Sequence, residues 1–302
     1  MTSTRAQILR ALPIAPGDFV VEVGGGHDPF WRSDIIFDKY PFDNLHRSED
    51  LAHRAPVLIA DATALPLREH GCDLLFASHL IEHLPEPDRF LAEVQRTARH
   101  VYLEFPARYR ELLFAWSMHE WLVEVRGSHL TFYRNDIPQL FGDFFHAHYD
   151  FLLDAWMLRR HAALNHHVAC PAGAITWEFA TETAFEHVTR ASARGSQRVN
   201  QAPASEVDYT WRQLGVLVLQ RALPKPALDR LVGAVRRRRR GTARPVTQAL
   251  LDRLGCPACR TGRLALDADT VRCAGCGRRY GRRHGLFDLD IVGEPATAQP
   301  AS

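Results

Sequence analysis

Residues 19–26 read FVVEVGGG, three valines and a phenylalanine around Glu22 that run straight into Gly24, Gly25 and Gly26. A short Val- and Phe-rich run bounded by glycine is the pattern of a strand buried in a parallel sheet. Consecutive glycines at its carboxyl end permit positive φ and let a ligand lie against bare backbone. Open α/β sheets bind their ligands at that edge. The stretch therefore predicts a central strand, a tight loop and a small-molecule site. The loop is not the dinucleotide fingerprint, because Pro29 stands where the third glycine belongs, and no Gly-Lys-Ser/Thr follows to make a triphosphate loop.

Outward from this strand, IIFD at 35–38, VLIA at 57–60, DLLFAS at 73–78 and VYLEF at 101–105 read as four more strands. Residues 5–12 and 86–98 read as helices, the second with Phe90, Leu91, Val94 and Ala98 on one apolar face. Only eight residues separate Gly26 from Ile35, too few for a full crossover helix, so the first crossover is expected to be truncated or irregular. The expected fold class is α/β, a Rossmann-like, doubly wound, mostly parallel sheet. Further on, a hairpin is expected around Arg126–His129 and a helix at 136–146. Residues 174–180 and 214–222 are candidates for antiparallel strands completing the sheet. Residues 190–205 read as an exposed loop. A helix opening at Pro226 is expected to run into Arg236 to Arg240.

Four features stand together at the predicted strand ends: Glu22-x-Gly24-Gly25-Gly26, Asp38, Asp61-Ala62, and Ser78-His79 followed by Ile81-Glu82-His83. With DATALP, CDLLFAS and LIEHLPEPDRFLAEV, they closely resemble the S-adenosylmethionine (SAM)-dependent methyltransferases of the group that includes the ubiquinone and menaquinone biosynthesis enzymes. The resemblance covers about residues 17–106. It implies that Asp38 accepts hydrogen bonds from the ribose hydroxyls and that Asp61 and the Ala62 amide bind adenine. The shortened segment after Gly26 departs from the family pattern at the methionine end, where the Gly25 and Gly26 amides are the candidates. Methyl transfer from a sulfonium is an in-line displacement helped chiefly by positioning, and an acceptor hydroxyl or amine must also lose a proton. Glu82, His83 and His119 are the candidate bases; the competing role for Glu82 and His83 is capping the next helix or lining the cofactor pocket. His161, His166, His167 and Cys170 match no metal-site spacing and read as loop residues.

Cys256-Pro-Ala-Cys259, thirteen residues, then Cys273-Ala-Gly-Cys276 are two CxxC knuckles suited to a tetrahedral tetrathiolate. Four thiolates leave no open position, so the expected Zn2+ is structural; a redox dithiol is the competing reading. The segment is similar to the small zinc-ribbon family that activates tRNA and protein methyltransferases by docking on them, with Tyr280-Gly281 where members commonly have Tyr-Pro. That resemblance implies a built-in docking or stabilising partner.

The expected organisation is a methyltransferase domain over 1–222 (core 17–106, substrate region 107–205), a basic helical linker over 223–247, a zinc ribbon over 248–292 and a disordered tail over 293–302. A formal net charge of +2 commits the whole chain to no polyanion. The run Arg236 to Arg240 is a candidate contact for RNA or anionic lipid, against a plain solvated linker. No stretch approaches eighteen apolar residues and none resembles a signal peptide, so a cytoplasmic location is expected. The favoured acceptor is a hydroxyl or amine on a small molecule, sugar or glycan. The rivals are an RNA or translation-associated protein methyltransferase and a non-catalytic SAM-binding scaffold.

Overall fold

The computed structural model describes residues 5–26, 29–42, 54–138, 164–195 and 244–292, with the single residues 227 and 230. A short helix α1 (Arg5–Arg10) precedes β1 (Val20–Val23), β2 (Ile35–Phe37), β3 (Val57–Leu58) and β4 (Cys72–Ser78). Helix α2 (Pro87–Thr97) leads into β5 (Ala98–Pro106). Pro87 starts α2 where a missing N–H costs nothing, and Phe90, Leu91 and Val94 bury its inner stripe.

Strands β1 to β5 pair in parallel in the order β3-β2-β1-β4-β5. All four residues of β1 are buried, as a central parallel strand requires. The strand order turns at β1, between β2 and β4, which opens a crevice at the carboxyl ends. In the described part of the segment after Gly26, the crossover is a loop. Both Glu22 carboxylate oxygens accept from the Phe30 amide at 3.0 Å, and Oε2 accepts from Ser33 Oγ at 2.6 Å. Phe30 then stacks on Phe76 with ring centroids 4.4 Å apart, and Phe76 on Tyr102 at 4.8 Å. An aromatic column thus covers sheet surface beside α1.

After α3 (Arg108–Phe114) comes the expected hairpin, β6 (Trp121–Arg126) with β7 (His129–Arg134). Three expectations are corrected here. The sixth strand of the main sheet is β8 (Asn165–Pro171), antiparallel to β5, so His166, His167 and Cys170 lie on a strand and not in a loop. Residues 176–179 form β9 (Thr176–Phe179), which pairs in parallel with β7 in a separate three-stranded sheet and does not complete the main one. Residues 190–195, expected in a loop, belong to helix α4 (Ala184–Gly195). The strand expected at 214–222, most of the helix at 136–146, the Arg236 to Arg240 run and the tail lie outside the described residues.

The cysteine-bearing segment comprises α5 (Gln248–Leu251), β10 (Leu264–Asp267), β11 (Thr270–Cys273), β12 (Arg279–Tyr280), β13 (Arg282–Arg283) and β14 (Leu286–Phe287). It is seated on the β3 edge. The Ile59 amide donates to Phe287 O at 2.9 Å and the Leu289 amide donates to Ile59 O at 2.8 Å, a parallel bridge that covers part of the edge strand. A second bridge joins Leu67 and Leu254. Leu251, Leu254, Val271, Phe287 and Leu289 belong to the same buried cluster as Phe37, Leu58 and Leu65. One apolar core therefore serves both units. Among the described residues, no helix is long and apolar enough to cross a membrane.

Candidate functional site

A cavity of about 510 Å³ opens at the carboxyl ends of β1 to β4. Gly24 and Gly26 line it beyond β1, Asp38 beyond β2, Asp61 and Ala62 beyond β3, and His79 beyond β4. Gly24 and Gly26 have φ of +69° and +55°, the left-handed region that glycine enters without cost. A Cβ on Gly26 would meet no atom of the described residues within 4 Å, whereas one on Gly25 would come within 2.9 Å of Ile36 Cγ2. Gly26 therefore borders open cavity and Gly25 packs against the sheet.

The carboxylates are already organised. Asp38 Oδ1 accepts from the Tyr40 amide at 2.8 Å. Asp61 Oδ1 accepts from the Thr63 amide at 2.7 Å and from its hydroxyl at 2.6 Å, and Oδ2 pairs with Lys39 Nζ at 2.7 Å. Burial works against both charges of that pair, but their mutual attraction prevails: the Asp61 pKa is lowered and that of Lys39 raised. Glu22, Gly25 and Ser78 are not among the cavity-lining residues. Glu22 is turned onto the 30–33 loop, and Ser78 Oγ donates to Glu104 Oε2 at 3.2 Å.

Residues 40–100 match the family model described as a methyltransferase domain, a stretch that begins just past β2 and ends in β5. Over these residues the chain carries a methyltransferase-domain pattern. No curated protein matches it. Solved structures with low similarity include a Haloferax volcanii complex of the Trm112 methyltransferase activator with a methyltransferase (15% identity, 56% of this chain and 88% of that one, TM-score 0.36). A SAM-dependent methyltransferase from Mesorhizobium loti is 20% identical over 42% of this chain and 62% of that one, with a TM-score of 0.27. Phosphoethanolamine N-methyltransferase 1 of Haemonchus contortus is 16% identical over 74% of this chain and 53% of that one, with a TM-score of 0.31.

The far wall of the cavity carries His79, His83, Met118 and Glu120. His79 lies at φ +53°, strained for a residue with a side chain, and its Nδ1 is 3.2 Å from Glu82 Oε1. A single 3-10 turn, Ile81–His83, follows. Glu82 and His119 are only 1% and 8% exposed and stand behind the wall; His83 reaches the cavity. His83 Nδ1 donates to Met118 O at 3.3 Å, and His119 Nδ1 is hydrogen-bonded to Glu111 Oε1 at 2.7 Å. Burial pushes the Glu82 carboxyl up, but the His79 hydrogen bond and the charges of His79, His83 and His119 outweigh it and bring the pKa down to about 2. Sequence reasoning missed Lys39, although it adjoins Asp38, and missed Glu111, which lies on an ordinary-looking helix. It also missed Val292, a cavity-lining residue from the end of the cysteine-bearing segment.

In that segment the sulfurs of Cys256, Cys259, Cys273 and Cys276 lie within 4.8 Å of one another. The Cys256–Cys276 and Cys259–Cys273 separations are 3.8 and 3.7 Å. Tetrahedral bonds of about 2.3 Å require sulfurs roughly 3.8 Å apart, whereas a disulfide would bring them to about 2.0 Å. Backbone amides of Gly262 and Gly275 donate to Cys259 and Cys273 sulfurs, each at 3.3 Å. The Gly262 hydrogen bond leads the causes that lower the Cys259 pKa to about 6. A Cβ on Gly262 would lie 2.1 Å from Cys273 Sγ, so this position must be glycine for the sulfurs to converge. The donor set fits zinc.

Proposed function

We propose that this enzyme methylates a hydroxyl or amine of a small-molecule, sugar or glycan acceptor. The reading is carried by one arrangement: carboxylates and bare glycine backbone on one side of the cavity, and a His-rich wall on the other. Asp38 would take the ribose hydroxyls, Asp61 and Ala62 the adenine, and Gly24 and Gly26 would let the methionine end approach the backbone. SAM supplies an activated methyl group on a sulfonium. His83 faces the remaining space and is the candidate for receiving the acceptor proton, with Glu82 and His119 fixing its surroundings. A hydrophobic wall made by Leu80, Leu84, Pro85 and Met118 would exclude water from that space.

Cys256, Cys259, Cys273 and Cys276 would hold a structural Zn2+, and the ribbon would act as a built-in support for the β3 edge and, through Val292, for the cavity rim. Calorimetric titration with SAM, with NAD as control and zinc assayed on the same sample, tests the donor site. Micromolar SAM binding without NAD binding is expected. A folded, zinc-loaded sample that ignores SAM would refute the assignment of the cavity.

A further inference from the structure

Three side chains from two distant stretches of chain converge at the cavity wall: Glu82 and His83 from the 3-10 turn, and His119 from the approach to β6. Each offers one ligand atom, and these atoms lie within 4.8 Å of one another. The histidine rings meet edge to face at 88° with centroids 4.5 Å apart.

Two further observations point to a ligand there. Glu82 Oε2 is buried and has no hydrogen-bond partner among the described residues, although its residue is 1% exposed. A buried carboxylate oxygen left in that condition is costly unless something positive meets it. Each histidine also has its Nδ1 side engaged, His83 by the Met118 carbonyl and His119 by the Glu111 carboxylate. Outer partners of this kind fix metal-ligating imidazoles and direct Nε2 to the ion.

We propose that Glu82, His83 and His119 bind a divalent first-row cation, with Glu111 as the residue that positions His119. Two imidazoles and one carboxylate suit Mn2+, Fe2+, Co2+ or Zn2+ and leave coordination positions for water or an oxygen of the acceptor. Ligand atoms on bonds of about 2.1 Å sit roughly 3.4 Å apart in a tetrahedral site, so the three side chains draw in on binding. The proposal rests on the reading of this wall as the acceptor side, and it gives His83 coordination in place of proton transfer. An acceptor bearing a hydroxyl able to enter the coordination sphere would be favoured over a simple amine.

The test uses the full-length, zinc-loaded protein. Mn2+ alone is titrated by electron paramagnetic resonance, and zinc content is measured after equilibration with excess zinc. The wild type should bind about one Mn2+ and hold about two zinc ions; Glu82→Gln and His119→Ala should hold about one zinc and weaken Mn2+ at least tenfold, and Glu111→Gln should weaken Mn2+ roughly tenfold or more. Thermal melts of the variants establish that they fold. A wild type that binds no Mn2+ and retains only the tetrathiolate zinc overturns the proposal, as does Glu82→Gln binding both metals like wild type. SAM titrated into the same samples separates the two readings: metal binding without SAM binding would remove the donor-site assignment and leave the cation site standing.

Discussion

Arg260, on the first cysteine knuckle, places Nη1 2.6 Å from Oε1 of Glu93 on α2, joining the cysteine-bearing segment to a helix that flanks the main sheet. Glu93 is a hub: it also accepts from Arg96 and from the Leu65 amide, while Arg96 reaches the Leu65 and Leu67 carbonyls. Removing the buried acid in Glu93→Ala should cost about 3 kcal/mol, because two guanidinium groups lose their shared carboxylate and the buried Leu65 amide loses its acceptor. Arg260→Ala removes only a half-exposed partner and should cost about 1 kcal/mol. Urea unfolding of both variants and their double mutant checks the ranking.

The same hub predicts a pH dependence. Burial raises the Glu93 pKa, and the hydrogen bonds and charges of Arg96 and Arg260 outweigh it, leaving the pKa lowered. Its stabilisation is therefore fully present above the unfolded carboxyl value and is lost as pH falls through the folded one. Melting curves taken downward from about pH 5 should show wild type losing more stability than Glu93→Gln.

Cys256→Ser and Cys273→Ser should release zinc. Because the cysteine-bearing segment and the sheet share one apolar core, loss of the metal should lower the melting temperature of the whole chain. Two separate transitions, with that of the main sheet unchanged, would contradict the shared core.

Asp38→Ala and Asp61→Ala should each weaken SAM by roughly 10- to 100-fold, the loss expected for hydrogen bonds to a charged acceptor. Asp61→Ala also strands Lys39, so Asp61→Asn serves as the milder comparison. Unchanged affinity in calorimetry would remove both residues from the donor site.

The two neighbouring glycines should respond differently. Gly26→Ala puts a methyl group into open cavity at positive φ and should weaken SAM about tenfold or more, at a backbone-strain cost of about 1 kcal/mol. Gly25→Ala presses on Ile36 and should cost about 1–3 kcal/mol of stability. Parallel SAM titrations and melts distinguish the effects.

The glycine-terminated strand, the carboxylates at the ends of its neighbours and the paired CxxC knuckles were legible in the sequence because each is a local pattern: a short apolar run, a turn, a fixed ligand spacing. Strand β8 was not legible. Asn165–Pro171 has no apolar alternation, and it becomes a strand by pairing with the exposed side of β5. Nor could periodicity place Phe287 and Leu289 on Ile59, or bring Glu111 and His119 up to Glu82 and His83. Such contacts join segments far apart in the chain, and only packing decides which of many apolar or polar side chains meet. The sequence by itself determined the parallel sheet, the residues at its carboxyl edge and the four sulfurs. Tertiary structure decided that the cysteine-bearing segment covers part of the β3 edge within one core, and that a buried carboxylate and two imidazoles share a single place beside the cavity.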